Sequence, residues 1–569
     1  MKVVHSFGES KVGRNIREDA GFILTNKIGG YCYFTSKPAS RYQGVFFNEN
    51  FRMYKVIEEL KLANAPSVRE LKNNFFNFER KRRKVIENFF IPFHYNSLVY
   101  ELNKEKEIEI ILDVRESYKN PEFGRYYEIS EEKGKIIIKY KQENEFECYL
   151  VINKNEYKKT CNWFLQDYPA DRERNSFPDQ LYVFSALKIR ARRLVFSFSF
   201  DKKKAIQEND YVLKNLKKLR DAQKENLKRI FVNAPKIRDT ETKLAYLCAL
   251  NSLNDLTVSI NNVPGIYAGL PWFFQFWVRD NAISLKALSL IEKGASEKIL
   301  MRLLDRIKSN GKTLNKYPVG DSHSADAPGW IVKRGYELDK EKLKQKIENL
   351  KNIKSFAASS ETWMDSLNRG GDRIELRAVS LNVYHVLFNL TKNKKYMNLG
   401  NKLKAETKKE FLVNGMLKDG INDETIRPNI FIAAYVYPEL LTRGEWTTCF
   451  QNALNRLWLL WGGLSTVDRN NPLFCGKHTG ENPMSYHNGD SWFYLNNLAA
   501  LVLHKINSKK FRQYINRILN ASVNEILWKG AVGSHAELSS ADKPDSEGCP
   551  AQAWSAAMFI ELVDELSKN

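Results

Sequence analysis

The hydrophobic period of this chain changes once, near residue 200, and that change divides it into two folding problems. From Phe22 to about Phe200, short alternating or β-branched runs recur, such as Ile108-Glu109-Ile110-Ile111-Leu112, Lys135-Ile136-Ile137-Ile138-Lys139-Tyr140 and Arg193-Leu194-Val195-Phe196-Ser197-Phe198. Gly, Asn, Pro and charged residues break them, as turns break strands, and this half reads as an antiparallel β-sandwich. A lysine-rich helical stretch follows from about 205 to 232. Beyond it the period is helical, with Leu244, Leu247, Leu250 and Leu253 on one face. Similar stretches at 280–292, 296–309, 326–352, 375–392, 394–411, 428–441, 445–460, 490–505, 508–528 and 552–567 give about a dozen helices once 326–352 is split in two. Paired helices in that number suggest an (α/α)6 barrel. The expected organisation is a sandwich over 1–204, a helical linker over 205–235 and a barrel over 236–569.

Size and composition narrow the function classes. At 569 residues the chain exceeds what one core normally fills, and 43% hydrophobic with 12% aromatic residues describes a globular protein. A net charge of +22 invites a nucleic-acid partner, but the basic runs at 79–84, 188–193 and 214–229 are interrupted by acidic or apolar residues, as on a solvated helix or strand face. No zinc-finger spacing, phosphate-binding glycine loop or RNA-binding aromatic signature accompanies them, so no nucleic-acid partner is expected. Seven cysteines without a CxxC pair fit a reducing cytoplasm. No signal peptide is evident after Met1, and no run of about eighteen apolar residues implies a membrane span. The scattered histidines suggest no metal site and no cofactor is called for.

Unusual residues gather in the loops between the helices, where a scaffold can hold them in place. Gly269-Leu270-Pro271-Trp272-Phe273-Phe274-Gln275-Phe276-Trp277-Val278-Arg279-Asp280 precedes a helix, with Asp280 as a credible N-cap or as a sugar-hydroxyl acceptor beside the Arg279 donor. Ala325-Asp326-Ala327 reads alone as a cap. Glu361-Thr362-Trp363-Met364-Asp365 runs on to Arg369-Gly370-Gly371-Asp372-Arg373-Ile374-Glu375, in which Glu375 reads as a first-turn helix acid. Arg427-Pro428-Asn429, Tyr486-His487-Asn488-Gly489-Asp490-Ser491-Trp492, Glu537 and Gln552-Ala553-Trp554-Ser555 complete the series. His487 is equally a sugar ligand or a structural hydrogen-bonding group.

The order of these segments resembles that of the glycogen debranching enzyme family, of the amylo-α-1,6-glucosidase type, from about residue 240 to the C-terminus. Thr25-Asn26-Lys27-Ile28-Gly29-Gly30-Tyr31 and Arg41-Tyr42-Gln43-Gly44 are similar to segments of that family's β-sandwich. The resemblance implies an (α/α)6 catalytic barrel and an inverting hydrolysis with Asp365 as general acid and Glu537 as general base. It also implies that Trp277, Arg279 and Asp280 hold the terminal glucose while Trp363, His487 and Trp492 line its pocket, with glycogen or a branched α-glucan as partner. Val278, Asn368 and Arg377 depart from the family pattern.

An inverting pair needs one carboxyl protonated and one ionised. The apolar neighbours Trp363 and Met364 lead one to expect a dry, protonated Asp365, and Ser534, His535, Ser539 and Ser540 a wetter, ionised Glu537. A glucoamylase-like or trehalase-like α-glucosidase would use the same equipment. A catalytically silent polysaccharide binder or a basic nucleic-acid partner is the alternative outside enzymes.

Overall fold

The computed structural model describes residues 1–353 and 361–568. Two 20-residue strands, Ser97–Glu116 and Gln180–Ser199, pair antiparallel and form the spine of the amino-terminal half. Each has a divided outer edge. Residues 99–102 pair with Val85–Phe90 while 108–116 pair with Arg52–Leu62, and Gln180–Ser199 pairs with both Glu156–Asp167 and Phe146–Asn153. A sheet that forks at both edges separates into two layers, and aromatic side chains fill the gap between them. Phe22 meets Phe78 and Phe89 at 4.8 and 5.0 Å between ring centroids, and Tyr54 meets Phe146 at 5.1 Å. The sandwich is therefore as expected, with one departure: Lys2–Phe7 runs parallel to Glu70–Asn73. Those strands are far apart in sequence, so no hairpin forces them antiparallel.

The lysine-rich stretch is one helix, Lys202–Phe231, begun by Asp201, whose carboxylate accepts the N–H groups of Lys203 and Lys204. Val212 and Leu216 pack on Phe90, Val99 and Val195 of the sandwich, while Lys214, Lys217 and Lys218 are exposed. Its charge is a solvated face.

Among the described residues, six helices close a ring. Val278–Ile291 packs on Ala327–Leu338, then follow Ile374–Thr391, Asn429–Val436, the segment Phe493–Trp528 bent at Asn507, and Ala553–Leu566, which returns to Val278–Ile291. Every residue of Asn429–Val436 is buried, as a helix enclosed by protein requires. Outer helices bury only a stripe: Lys394–Phe411 buries Tyr396, Thr407 and Phe411. Closed inner ring and amphipathic outer layer make an (α/α)6 barrel. The stretch expected over 326–352 comes as Ala327–Leu338, Lys340–Lys344 and Ile347–Leu350.

Sandwich and barrel touch through the Asn26–Tyr31 segment. Tyr31 Oη donates to the Pro271 carbonyl at 3.2 Å and Tyr267 Oη to the Gly29 carbonyl at 3.1 Å. Gly29 has φ +101°, and a Cβ there would sit 2.5 Å from Tyr267 Oη, so no other residue fits.

Within the ring, a Cβ on Gly329 would lie 1.8 Å from Val379 Cγ1. Gly329→Ala is expected to cost about 1–3 kcal/mol by overpacking, read as a lower denaturation midpoint, and Val379→Ala in the same chain to recover part of it. A single substitution without effect on the midpoint would contradict this packing.

Candidate active site

A cavity of ≈ 270 Å3 lies at the starts of three ring helices, Val278–Ile291, Phe493–Trp528 and Ala553–Leu566, and is completed by the loops between helices. Two-residue ladders staple the entering loops: Phe276–Trp277 to Lys316–Tyr317, Ser491–Trp492 to Leu538–Ser539, and Gly269–Leu270 to Ala551–Gln552. These ladders set Trp277, Trp492, Glu537 and Gln552 at the cavity rim. Asp365 and Ser366 enter from the loop before Ile374–Thr391, and Trp554 from the first turn of the last helix.

Arg279 is held side-on. Its Nε lies 2.9 Å from both carboxylate oxygens of Asp326, which also accept Ser324 Oγ at 2.9 Å and the Trp363 N–H at 3.2 Å. Asp326 is thus no side-chain cap; it orients Arg279 and fixes the backbone two residues before Asp365. Asp280 does not cap its helix either. The N-cap position is Trp277, and Asp280 sits in the first turn with Gln552 Nε2 at 3.4 Å. Burial pushes its carboxyl up to about 7, although Arg279 pulls the other way.

A second network positions the Trp363 loop. Arg369 forks onto Asp419 at 2.8 Å and reaches Glu375 at 3.0 Å. Asn429 donates to Asp419 at 2.8 Å and accepts the Trp363 indole N–H at 2.8 Å. Arg427 donates to the His487 carbonyl at 2.6 Å and to Asn488 Oδ1 at 3.0 Å. The Arg-Pro-Asn motif therefore grips two cavity loops from positions two residues apart.

The two proposed catalytic carboxyls line the same cavity; Asp365 has the dry setting expected of it, whereas Glu537 is drier than expected. Asp365 is half-buried; desolvation raises it to about 6, opposed by Arg279 and aided by Asp326. Glu537 is buried, and desolvation raises it to about 8 against the Tyr486 hydroxyl and the Cys549 N–H, which both donate to it, the latter at 2.9 Å. The polar residues beside Glu537 in sequence turn elsewhere: His535 bonds Glu525 at 2.6 Å, and Ser539 and Ser540 donate to backbone carbonyls. Their hydrogen bonds are spent on Glu525 and on backbone, so their polarity does not reach the carboxyl.

Of the residues singled out from sequence, Asp365, Glu537, Trp277, Arg279, Asp280, Trp363 and Trp492 line the cavity. His487 does not. It is fully buried, its ring stacked on Trp492 at 5.1 Å and its Nδ1 2.5 Å from Ser366 Oγ, and burial holds its pKa well below 6.5. It backs the Trp492 wall. Glu375 is buried in a helix first turn and paired with Arg369, as a structural acid. Sequence reasoning passed over Tyr486, Glu481 and Trp554, which also line the cavity. Tyr486 and Trp554 lay within quoted motifs; Glu481 had no signal. Val278, Asn368 and Arg377 are not among the lining residues, and Arg377 pairs with Asp372 and Glu410. Among the described residues, no group of His, Cys, Asp and Glu is arranged to hold a metal ion.

Residues 340–561 match the family described as Amylo-alpha-1,6-glucosidase. Among solved structures, a bacterial glucoamylase complexed with acarbose aligns over 100% of this chain and 98% of its own, with a TM-score of 0.63 at 12% identity. A wild-type glycosidase aligns over 58% of this chain and 99% of its own, with a TM-score of 0.46 at 13% identity. A GH63 mannosylglycerate hydrolase from Thermus thermophilus, in complex with Tris and D-glycerate, aligns over 56% and 99%, with a TM-score of 0.44 at 12% identity. No curated protein matches by sequence. The glucoamylase likeness shows the two-part fold, and the family match makes this a glycoside hydrolase.

The Tyr486 hydroxyl favours ionised Glu537, so Tyr486→Phe is expected to raise the Glu537 pKa by about 1 to 2 pH units above about 8. A carbon-detected NMR titration of that carboxyl measures it; an unchanged or lower pKa would contradict the contact.

Proposed function

We propose that this glycoside hydrolase removes single α-1,6-linked glucose stubs from glycogen or a related branched α-glucan by inverting hydrolysis, with Asp365 as general acid and Glu537 as general base. The observation that carries the reading is that both carboxyls face one small cavity walled by Trp277, Trp363, Trp492 and Trp554. Indole faces suit the apolar faces of a sugar ring, while Arg279 and Asp280 offer a donor and an acceptor to its hydroxyls. A cavity of this size, at the end of a closed ring of helices, admits a chain terminus rather than the middle of a chain.

In this mechanism Asp365 gives its proton to the glycosidic oxygen as the bond to the anomeric carbon breaks. Glu537 takes a proton from the water that attacks the opposite face, and the product leaves as β-glucose. Tyr486 holds the Glu537 carboxylate, and Arg279 fixes the field around Asp365. With Glu537 titrating near 8 and Asp365 near 6, the productive form has the lower-pKa group protonated and the higher one ionised. That form is a minor one in the free enzyme at pH 7, and kcat/KM is expected to plateau between limbs near 6 and 8. The order of these pKa values favours a second reading, in which Glu537 is the acid and Asp365 the base.

Asp365→Asn and Glu537→Gln are each expected to lower turnover on limit dextrin by about 10² to 10⁴-fold. α-D-Glucosyl fluoride separates the two readings, because fluoride leaves without a proton. Asp365→Asn should keep most of its rate on the fluoride while Glu537→Gln loses it; the reverse result assigns the roles the other way. Product release from limit dextrin, followed by polarimetry or NMR, should show β-glucose first. Initial α-glucose would overturn inversion, and preference for maltotetraose or trehalose would overturn the debranching specificity.

Cysteines 32, 148, 161, 248, 449, 475 and 549 are unpaired, which supports a reducing compartment such as the cytoplasm. Among the described residues no helix is long and apolar enough to cross a membrane.

A further inference from the structure

Beside the catalytic cavity lies a second one, of ≈ 510 Å3, with the sandwich on one side and barrel loops on the other. The two share a wall. Glu481 faces the catalytic cavity and Arg174, from the sandwich half, faces the second, with Arg174 Nη1 3.3 Å from Glu481 Oε1. Phe273 lines the first and its neighbour Trp272 the second. Gly548, also on the second, leaves only 2.5 Å between a would-be Cβ and Glu537 Oε2, so bare backbone separates the proposed base from the second space.

Arg174 is placed by both halves of the molecule. The turn Pro169–Glu173 is anchored through Asp171, which accepts Ser40 Oγ and the Arg41 N–H at 2.7 Å each. On the barrel side Asn175 Nδ2 donates to the Thr479 carbonyl at 3.0 Å, and a Cβ on Gly480 would lie 1.9 Å from the Arg174 carbonyl oxygen. The guanidinium carbon lies 3.6 Å from the centroid of the Trp272 ring.

The chemistry of this wall selects a neutral polyhydroxylated ligand over an anion. Basic Arg174, Lys477 and Lys543 are balanced by acidic Asp171, Glu173 and Glu547, and the stacked guanidinium and indole give a flat surface beside them. The Arg174–Glu481 ion pair at 3.3 Å and the guanidinium stacked on Trp272 hold this wall in one position. A branch point joins two chains at one residue. If the stub fills the catalytic cavity, the chain that bore it must lie next door.

We propose that this second cavity binds the α-glucan chain that carries the stub, with Arg174 and Trp272 as specificity-determining contacts from the two halves of the molecule. The proposal rests on the glucosidase reading above. Arg174→Met, which keeps the apolar stem and loses the fork, and Trp272→Phe are each assayed on limit dextrin and on α-D-glucosyl fluoride, which has no second chain. The KM for limit dextrin should rise about tenfold or more while kcat/KM on the fluoride stays within about twofold of the unsubstituted enzyme. An unchanged KM on limit dextrin in both variants overturns the proposal. Equal losses on both substrates also overturn it, since Arg174 would then act only on the catalytic cavity through Glu481. If the unsubstituted enzyme cleaves the fluoride but not limit dextrin, the debranching reading itself fails and this proposal with it.

Discussion

Several carboxyls share one dry cavity, and the barrel must keep them there without their charges pulling it open. Three ring helices, Val278–Ile291, Phe493–Trp528 and Ala553–Leu566, bring their positive N-terminal ends to the cavity. Two arginines do the rest. Arg279 lies against Asp326 and beside Asp365 and Asp280, and Arg369 lies against Asp419 and Glu375. Desolvation raises all three cavity carboxyls, and Arg279 opposes it at two of them. Asp365 and Asp280, both within the field of Arg279, rise to about 6 and about 7. Glu537, with only a tyrosine hydroxyl and a backbone N–H against its burial, rises to about 8.

The same interactions align the two carboxyls with each other. Trp363, two residues before Asp365, is tied to Asn429, and Arg427, two residues before Asn429, is tied to the backbone of His487. Tyr486, next to His487, donates to Glu537. One buried path of hydrogen bonds thus runs from the Asp365 loop to the Glu537 side chain, with a proline between its two grips to stiffen it. His487 contributes by packing flat on Trp492, so it sets the position of a wall without facing the cavity.

What was legible in the sequence was mostly periodicity and unusual loop residues. The forked sandwich and the ring of helices follow from runs such as Ile136-Ile137-Ile138 and from the solid apolar stretch at Ile430–Val436, whose burial on all sides is a property of composition. Three of the cavity tryptophans, Trp277, Trp363 and Trp492, could be found because they lie in the ordered motifs that carry the family resemblance. Partners were not legible. Asp326 and Asp280 look like caps because a cap is a local pattern, whereas their actual neighbours, Arg279 and Gln552, are 47 and 272 residues away. The setting of Glu537 failed for the same reason: its polar neighbours along the chain are not its neighbours in space, and Tyr486 and Cys549 are.

The proposed second cavity gives the sandwich a part beyond support. Gly29, by an approach to Tyr267 that leaves no room for a Cβ, and Tyr31, by its hydroxyl on the Pro271 carbonyl, lock it to the barrel, and the rigid seat delivers the Pro169–Glu173 turn to the mouth of the helical ring. A barrel alone can build a pocket for one terminal sugar, because all its loops converge on a single axis. Recognition of what lies on the far side of the scissile bond requires surface off that axis. The sandwich, packed against the same loops that carry Trp272 and Glu481, is the part of this chain placed to supply it.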